Sequence, residues 1–332
     1  MDSTRKILLT GPTGFLGCPL AHALITAGHH VRGLVRSTSD TTALERLELV
    51  EGDLNDPNSL LDALEDIDTI VHTAALVSYQ AGDRDRMLLV NGEGTANLVN
   101  MALEADVQRF IHLSSVAALG RTDGGPKTTL ADRWPSERPN TSYAESKFAA
   151  EREVWRGQAE GLSVAVLNPS IILGPGDWFG QNTPAFWRQA AQERGIYPGG
   201  TSGFVDRRDV VEAVLFVLER DLDSDRFILN ADNWSWRELL TEIAVSIGVR
   251  PPTRELAYWQ SALLWPVEVL RARATGNKPL ITRESHRNVQ ASFRYDGSAF
   301  AEARGKAYRP LAKTITEIGD VYRRGSSSSR HS

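Results

Sequence analysis

The feature that most constrains the fold is a glycine-rich loop between an apolar strand and a helix near the N-terminus. The strand is predicted at Lys6–Thr10 and the helix at Phe15–Ala27. Gly11 can supply a tight turn, Gly14 lets backbone approach a phosphate, and Gly17 lets helix and strand pack closely. The helix start would present free N–H groups to that phosphate, whereas a plain strand-to-helix turn is the alternative. The predicted dinucleotide contacts here are Gly11, Thr13, Gly14, Phe15, Leu16 and Gly17.

Short apolar runs alternate with helical patterns through the first half of the chain. Further strands are predicted at His30–Arg36, Leu47–Glu51, Thr69–Thr73, Arg109–Ser114 and Ser163–Asn168, and helices near Pro57–Leu64, Asp85–Leu103 and Thr141–Glu160. The run Ile7-Leu8-Leu9 is apolar on both faces, as expected of a central strand covered by helices on both sides. The alternation predicts an α/β fold with a doubly wound, Rossmann-type parallel sheet.

The pattern changes after Pro169, where glycine, proline and aromatic residues become frequent. A helix near Asp209–Glu219 and a strand near Arg226–Leu229 are predicted to return to the sheet. We therefore expect residues 1–170, with 205–230, to form the NAD(P)-binding domain. Residues 171–204 and 231–320 would form a smaller C-terminal substrate-binding subdomain, and the serine-rich residues 321–332 a disordered tail.

Composition excludes several classes of protein. The net charge is −5 with scattered basic residues, which disfavours nucleic-acid binding. Cys18 is the single cysteine, and no Cys/His cluster has zinc-site spacing, so we predict no metal site and a cytoplasmic setting. No leader pattern or membrane-spanning run is predicted. The most apolar stretch, Leu256–Leu270, is predicted to be a packed helix, with a lid or a membrane-touching helix as alternatives.

A tyrosine and a lysine lie four positions apart in the predicted helix Thr141–Glu160. Tyr143 and Lys147 therefore share one helix face, and the lysine cation would lower the pKa of the phenol. Ser115 follows the fifth strand, at the edge where parallel sheets bind ligands. Each feature alone is common by chance, but their occurrence together with the glycine loop predicts a Ser-Tyr-Lys active site. Tyr143 would act as the general acid or base on a substrate oxygen.

The end of the second strand bears on the choice of cofactor. Arg36 stands where a carboxylate would hold the 2′-hydroxyl of NAD, and no acidic residue follows until Asp40. An arginine can instead pair with the 2′-phosphate of NADP. A solvated arginine is the alternative, so NADP is favoured and NAD stays possible.

These motifs resemble the extended short-chain dehydrogenase/reductase superfamily, which includes the NAD-dependent epimerase/dehydratase family. The resemblance covers about residues 6–230 and is closest to dihydroflavonol-reductase-like and 3β-hydroxysteroid-dehydrogenase-like members. It rests on Tyr143–Lys147 and on the segments Glu51–Leu54, His72–Ala75, Asn91–Thr95, His112–Ser115, Asn168–Ser170 and Gly174–Gly176. Many nucleotide-sugar epimerases and dehydratases have an arginine where Asn168 stands, which counts against a sugar-nucleotide substrate.

The resemblance implies further roles for particular residues. Asp53 and Leu54 would contact the adenine, Ala74, Ala75 and Pro169 would lie along the cofactor, and Lys147 would also hold the nicotinamide ribose. It also selects Ser115 over Ser114, in agreement with strand alternation. Asn91 would join the catalytic group by ordering a water or supporting the backbone. A homodimer through the helices near Asp85–Leu103 and Thr141–Glu160 is a further implication.

Three functions remain open at this point. The first is a reductase or dehydrogenase acting on a carbonyl or secondary alcohol of a small hydrophobic substrate, with Tyr79 and Trp178 as substrate contacts. The second is a nucleotide-sugar epimerase or dehydratase with bound NAD. The third is a non-catalytic NADP sensor, although such proteins often lack the tyrosine. Most other aromatic side chains of the C-terminal half are expected to form its own core.

Overall fold

The computed structural model describes most of the chain. The described residues are 4–78, 80–120, 123–130, 141–178, 183–220, 225–258, 260 and 283–328.

The strands are short and well distributed along the described residues. They are β1 Lys6–Thr10, β2 His30–Val35, β3 Glu48–Glu51, β4 Thr69–His72, β5 Arg109–Leu113, β6 Ser163–Pro169, β7 Ile171–Leu173, β8 Ile196–Pro198, β9 Thr201–Asp206, β10 Asp225–Leu229, β11 Asp232–Ser235 and β12 Arg254–Leu256. Seven of them form one parallel sheet in the order β10-β6-β5-β4-β1-β2-β3. Smaller sheets are formed by β11-β9-β7 and by β12-β8.

The helices cover both faces of the large sheet and pack around the smaller sheets. They are α1 Gly17–Thr26, α2 Pro57–Ala63, α3 Arg84–Met87, α4 Gly94–Glu104, α5 Ser142–Ala159, α6 Ala185–Ala190, α7 Arg207–Glu219, α8 Trp236–Ile247, α9 Arg283–Gln290, α10 Ser298–Arg304 and α11 Leu311–Ser328. Ile7, Leu8 and Leu9 of β1 are fully buried, because helices cover this strand from both sides. The predicted doubly wound α/β fold is confirmed.

The order of the strands determines where a ligand can bind. The chain runs outward from β1 to β3 on one side and from β4 to β6 on the other. The connections therefore diverge between β1 and β4, and a crevice opens there at the carboxyl ends of the strands. The loops after β1, β2 and β4 all reach this crevice, and β5 carries Ser115 to the same edge.

The helix predicted over Asp85–Leu103 is interrupted. Between α3 and α4, residues Leu88–Glu93 form a π-helical turn. Close packing accompanies the turn, since a Cβ on Gly94 would lie 2.8 Å from the Cβ of Leu54. Such turns redirect side chains and occur often at functional sites, and this one carries Asn91.

The C-terminal end differs from the expectation of disorder after residue 320. Helix α11 continues to Ser328 and packs on α8. Tyr322 lies edge-on to Trp178, with ring centroids 5.1 Å apart. This aromatic contact holds the helix at the second residue of the segment whose polar composition suggested a disordered tail.

Candidate active site

A cavity of about 290 Å³ occupies the crevice between β1 and β4. Its lining combines the glycine loop, the ends of β2 and β3, the loop after β4, and one side of the α3 region. The lining residues include Gly11, Thr13, Gly14, Leu34, Arg36, Ser39, Asp53, Leu54, Ala74, Ala75 and Arg86. Most of the cofactor contacts expected from sequence therefore come together in one place.

The glycine loop has a backbone that only glycine accommodates. Gly11 has φ +68°, and a Cβ there would lie 2.9 Å from the backbone nitrogen of Ala74. A Cβ on Gly17 would lie 2.0 Å from the carbonyl oxygen of Gly11. A Cβ on Gly14 would meet only that same oxygen within 4 Å, so its other side is open toward the cavity. The loop thus leaves room for a phosphate beside backbone N–H groups.

The start of α1 fits an anion. Its N-cap, Leu16, makes no side-chain cap, and the first turn contains no acidic residue. The Cys18 N–H already donates to the Gly14 carbonyl at 3.1 Å, so it is chiefly the helix dipole that favours a ligand phosphate at this end. Phe15 fixes the outer part of the loop, because the Arg207 guanidinium lies 4.9 Å from its ring centroid and donates to its carbonyl oxygen at 3.1 Å.

Hydrogen bonds join the loop after β4 to the end of β1. The Thr10 hydroxyl accepts from the backbone N–H of Ala74 at 3.2 Å, and the Thr73 hydroxyl donates to the Thr10 carbonyl at 2.7 Å. His72 bridges the hydroxyls of Thr10 and Thr95 through its two ring nitrogens. Burial, together with the Lys147 charge, lowers the pKa of His72 to about 3, so the imidazole is neutral.

The far end of the cavity carries positive charge. Arg36 is exposed, and its backbone N–H donates to the Ser39 hydroxyl at 3.2 Å. Arg86 lines the same cavity. Asp53 accepts from the backbone N–H of Asn55 at 2.9 Å and lies beside Leu54 at the adenine end implied by the family resemblance. This part of the site can therefore accept a ribose that carries a phosphate.

Helix α5 and strand β5 supply the three residues expected to perform the chemistry. Thr141 caps α5 by accepting from the N–H of Ala144 at 3.1 Å, which places Tyr143 in the first turn. Lys147 is only 2% exposed, and its Nζ donates to the Leu113 carbonyl at 2.8 Å. That bond ties the helix to the strand two residues before Ser115, whose Oγ accepts from the N–H of Ala117 at 3.1 Å.

The Lys147 side chain is a buried cation. Burial lowers the pKa of Lys147 to about 8, and the Glu151 carboxylate opposes that shift. The lysine is therefore mainly a cation at neutral pH, one helical turn from Tyr143. A cation at that position favours the phenolate form of a tyrosine and makes it a better acid and base.

Sequence reasoning missed a buried carboxylate behind this group. Glu151 is 3% exposed, and its Oε2 accepts from the Ser114 hydroxyl at 2.6 Å and from the Asn168 amide at 3.0 Å. The Arg226 guanidinium pairs with its other oxygen. The same Asn168 amide also donates to the Ser115 carbonyl at 2.9 Å. The four-residue spacing from Lys147 to Glu151 was the available signal.

Arg226 also contacts the side chain at position 168. Its Nε donates to the Asn168 Oδ1 at 3.1 Å, so a guanidinium from β10 lies beside the amide of β6. In the nucleotide-sugar enzymes that the sequence resembles, an arginine often stands at the position of Asn168 itself. Here the positive charge reaches the Glu151 carboxylate from the neighbouring strand.

Asn91 connects the cofactor loop to the catalytic helix. Its Oδ1 accepts from the Leu76 N–H at 2.7 Å, and its amide nitrogen donates at 2.9 Å to both the Leu76 carbonyl and the Ser146 hydroxyl. It is 2% exposed. These contacts give Asn91 a positioning role between the loop after β4 and α5, and its predicted part in catalysis stays a prediction.

The expected substrate contacts fall in different surroundings. Trp178 packs edge-on against Trp187 and Tyr322, which belong to the hydrophobic core around α8 and α11. Trp187 is fully buried, in line with the expectation that many aromatic residues form that core. Pro169 ends β6 and pairs with Leu229 of β10. Tyr79, Phe179, Trp259 and Trp265, with most of Leu256–Leu270, lie outside the described residues.

The described residues lack the features of two other classes of site. They contain no group of three or more His, Cys, Asp or Glu side chains placed to hold a metal ion. Within the same residues, every helix is too short or too polar to cross a bilayer.

The chain is similar to known proteins in sequence and in structure. The model of the NAD dependent epimerase/dehydratase family matches residues 7–230. The chain is 35% identical over 239 residues to Sterol demethylase protein B of Methylococcus capsulatus, covering 70% of this chain and 72% of that protein. It is 28% identical over 318 residues to a putative dihydroflavonol 4-reductase of Synechocystis, covering 93% and 92%. The crystal structure of gox2253 is similar over 97% of this chain and 99% of that one, with TM-score 0.81 and 31% identity.

Proposed function

Because the chain belongs to the NAD-dependent epimerase/dehydratase family and is an NAD(P)-dependent oxidoreductase, we propose that it transfers hydride between NADP(H) and a carbonyl or secondary alcohol. The proposed substrate is small and hydrophobic. The observation that carries the proposal is the buried Lys147 cation, which lies one helical turn from Tyr143 and is hydrogen-bonded to Leu113 at the end of β5, two residues before Ser115.

The residues of the crevice fit a dinucleotide. The Gly11–Gly17 loop and the start of α1 would hold the pyrophosphate, Asp53 and Leu54 the adenine, and Lys147 the nicotinamide ribose. Arg36, with Ser39 beside it, would hold the 2′-phosphate. When bound, the nicotinamide supplies or accepts the hydride, which is chemistry that protein side chains lack.

The protein's part in the reaction is to position the substrate oxygen and move a proton. The Tyr143 hydroxyl gives its proton to the carbonyl oxygen in reduction and takes it back in oxidation. The Lys147 cation stabilises the resulting phenolate, and the Ser115 hydroxyl donates to the same substrate oxygen. The Asn168 bond to the Ser115 carbonyl and the Asn91 bridge keep the two supporting segments in place.

Two observations favour a hydrophobic substrate over a sugar nucleotide. The relatives reported above are named for a sterol and for a dihydroflavonol. Position 168 is an asparagine, and the nearby Arg226 is engaged by Glu151 and Asn168. A nucleotide-sugar epimerase or dehydratase that keeps NAD bound is the second candidate, because the matching family model includes such enzymes.

The choice of cofactor tests the proposal first. Purified protein is titrated with NADPH and NADH by nicotinamide fluorescence, beside Arg36→Glu and the exposed, more distant Arg46→Glu as control. We expect tighter NADPH binding, lost by at least about tenfold in Arg36→Glu alone, since a charge-assisted pair is replaced by repulsion. A preference for NADH, or NAD retained through purification, would instead favour the epimerase and dehydratase candidate.

A further inference from the structure

A second cavity lies in the C-terminal part of the fold, apart from the residues that line the cofactor crevice. It measures about 320 Å³ and is bounded by the end of α6, by β8, by α8 and by α9. That volume is at the lower end of the range of about 300–1,000 Å³ usual for small-molecule sites. Its apolar walls include Ala190, Ile196, Leu240, Ala244, Leu256 and Val289.

One buried histidine faces this apolar space. His286 lines the cavity, is 3% exposed, and packs against Tyr258 with ring centroids 4.8 Å apart. Among the described residues, neither of its buried ring nitrogens has a hydrogen-bond partner, unlike His72, whose two nitrogens are satisfied. A buried imidazole without partners is costly, and a ligand that supplies one recovers that cost.

The chemistry of His286 indicates what kind of group it would meet. Burial and the adjacent Arg287 lower the pKa of His286, so its ring is neutral at neutral pH. A neutral imidazole offers one donor and one acceptor, which match a hydroxyl or carbonyl oxygen. The charged side chains that line the cavity, among them Arg194 and Arg250, are exposed rather than buried against the apolar walls.

Helix α6 connects this cavity to the cofactor loop. A Cβ on Gly176 would lie 3.2 Å from both the Phe15 ring and Pro184, so the N-cap of α6 lies close to the glycine loop. Gln189 and Ala190 line the cavity five and six residues later. At about 1.5 Å per helical residue, the separation is only about 8–9 Å along the helix. The part of α6 that lines the cavity therefore lies less than two helical turns from the end of the helix that is near the glycine loop.

We propose that this cavity binds the apolar, non-reacting end of the substrate and that His286 hydrogen-bonds an oxygen carried on that end. The inference rests on the proposed function, because it concerns the substrate of the same reaction. The substrate is then an extended hydrophobic molecule with two oxygen functions: the reacting carbonyl or alcohol, and a remote hydroxyl or carbonyl.

Ketones of graded length test the apolar part of the proposal. With NADPH, kcat/KM is measured for 2-butanone and 2-undecanone. We expect the longer ketone to be favoured by more than about 100-fold, since each buried methylene is worth about fourfold. Leu240→Trp, which fills the cavity, should reduce that ratio at least about tenfold. Val245→Trp, on the exposed side of the same helix at 61% exposure, should leave it unchanged. An equal ratio in wild type and Leu240→Trp would overturn the assignment.

A remote hydroxyl tests the histidine. The ratio of kcat/KM for 11-hydroxy-2-undecanone to kcat/KM for 2-undecanone is measured in wild type and in His286→Phe. We expect this ratio to be about tenfold higher in wild type, because the variant cannot hydrogen-bond the added oxygen. His286→Gln, which keeps a donor and an acceptor, should restore part of that preference. A preference that is the same in wild type and His286→Phe would show that the imidazole does not meet the substrate.

A binding measurement separates this inference from the proposed function. The neutral probe 6-propionyl-2-dimethylaminonaphthalene, whose emission shifts to the blue in apolar surroundings, is titrated into the full chain without turnover. We expect blue-shifted binding that Leu240→Trp weakens at least about tenfold and Val245→Trp does not. If no ketone is reduced but this pattern holds, the proposed reaction fails and the cavity stands. If wild type does not bind the probe, or Leu240→Trp binds it equally, the cavity assignment fails.

Discussion

Replacing Glu151 by glutamine tests two effects of the buried carboxylate behind the active site: its contribution to stability and its influence on the pKa of Lys147. The substitution keeps size and shape but removes the charge that Arg226, Ser114 and Asn168 surround. Removing one partner of a buried ion pair costs about 3–5 kcal/mol, and because the Arg226 side chain is 24% exposed we expect a loss of about 2–4 kcal/mol in the free energy of unfolding. Urea denaturation measures it.

The same substitution should change the pH dependence of turnover. Glu151 raises the pKa of Lys147 against the effect of burial, so its loss lowers that pKa below about 8. Unit charges about 6 Å apart interact by about 3 kcal/mol at an effective dielectric constant of about 20. Part of that is screened, so we expect the alkaline limb of kcat/KM to move to lower pH by about one unit. The alkaline limb moves to lower pH because activity needs the lysine cation, and a lysine with a lower pKa loses its proton at lower pH.

Glu153→Gln provides the matched control on the same helix. Glu153 pairs with Arg156 at the surface side of α5 and is partly exposed, so its loss should cost less than about 1 kcal/mol and leave the pH profile in place. If Glu151→Gln is destabilised but keeps the wild-type alkaline limb, Glu151 supports the fold without influencing Lys147. If both measurements match those of Glu153→Gln, the reasoning about the buried carboxylate is refuted.

Further outcomes follow from individual residues of the site. Tyr143→Phe should lower kcat by about 10²–10⁴ with NADPH affinity unchanged, measured by single turnover, and retained activity would remove the tyrosine from its role. Gly11→Ala should weaken NADPH at least about tenfold in the fluorescence titration, because φ is +68° and the Cβ would meet Ala74; equal affinity would contradict the backbone geometry. His112→Phe should raise the free energy of unfolding by about 1–2 kcal/mol, since both ring nitrogens of His112 are buried and have no partner in the part of the chain that the structure describes; a decrease would mean that a partner exists. The pKa of His72 is about 3 and that of His112 is well below its usual range, so below pH 6.5 the unfolded state binds more protons than the folded state. The free energy of unfolding should therefore decrease as the pH is lowered, by up to about 3 kcal/mol per pH unit. Urea curves at pH 6 and 5 that coincide would exclude this effect. The implied homodimer predicts twice the chain mass in solution scattering, and a monomeric mass would exclude it.

Patterns within a few residues of each other indicated the buried strands and the glycine loop of the fold. Runs such as Ile7-Leu8-Leu9 are apolar on both faces because the strand is covered on both sides, and the glycine loop requires its own backbone shape. Helix α8, Trp236–Ile247, begins at a capping box on Ser235 and ends at a left-handed Gly248, and residue types of both kinds are visible in the sequence. These signals act within a few residues.

Features that depend on distant partners were not predictable in this way. The π-helical turn at Leu88–Glu93 accompanies packing against Leu54, and Tyr322 of α11 contacts Trp178, which is distant in sequence. The spacing of Lys147 and Glu151 was visible, but the partners of that carboxylate come from other strands. Nothing local to Arg226 indicates that its guanidinium reaches α5.

The pairing of Arg226 on β10 with Glu151 has a consequence for how this sequence can evolve. Arg226 and Asn168 occupy the space beside one carboxylate together. Changing Asn168 to arginine alone would bring two guanidinium groups to a single negative charge, whereas losing Arg226 alone would leave that charge buried without its cation. Each single step is unfavourable although the double exchange restores one pair. The two positions are therefore expected to be epistatic, and a path between the two arrangements must change both or pass through a weakened intermediate.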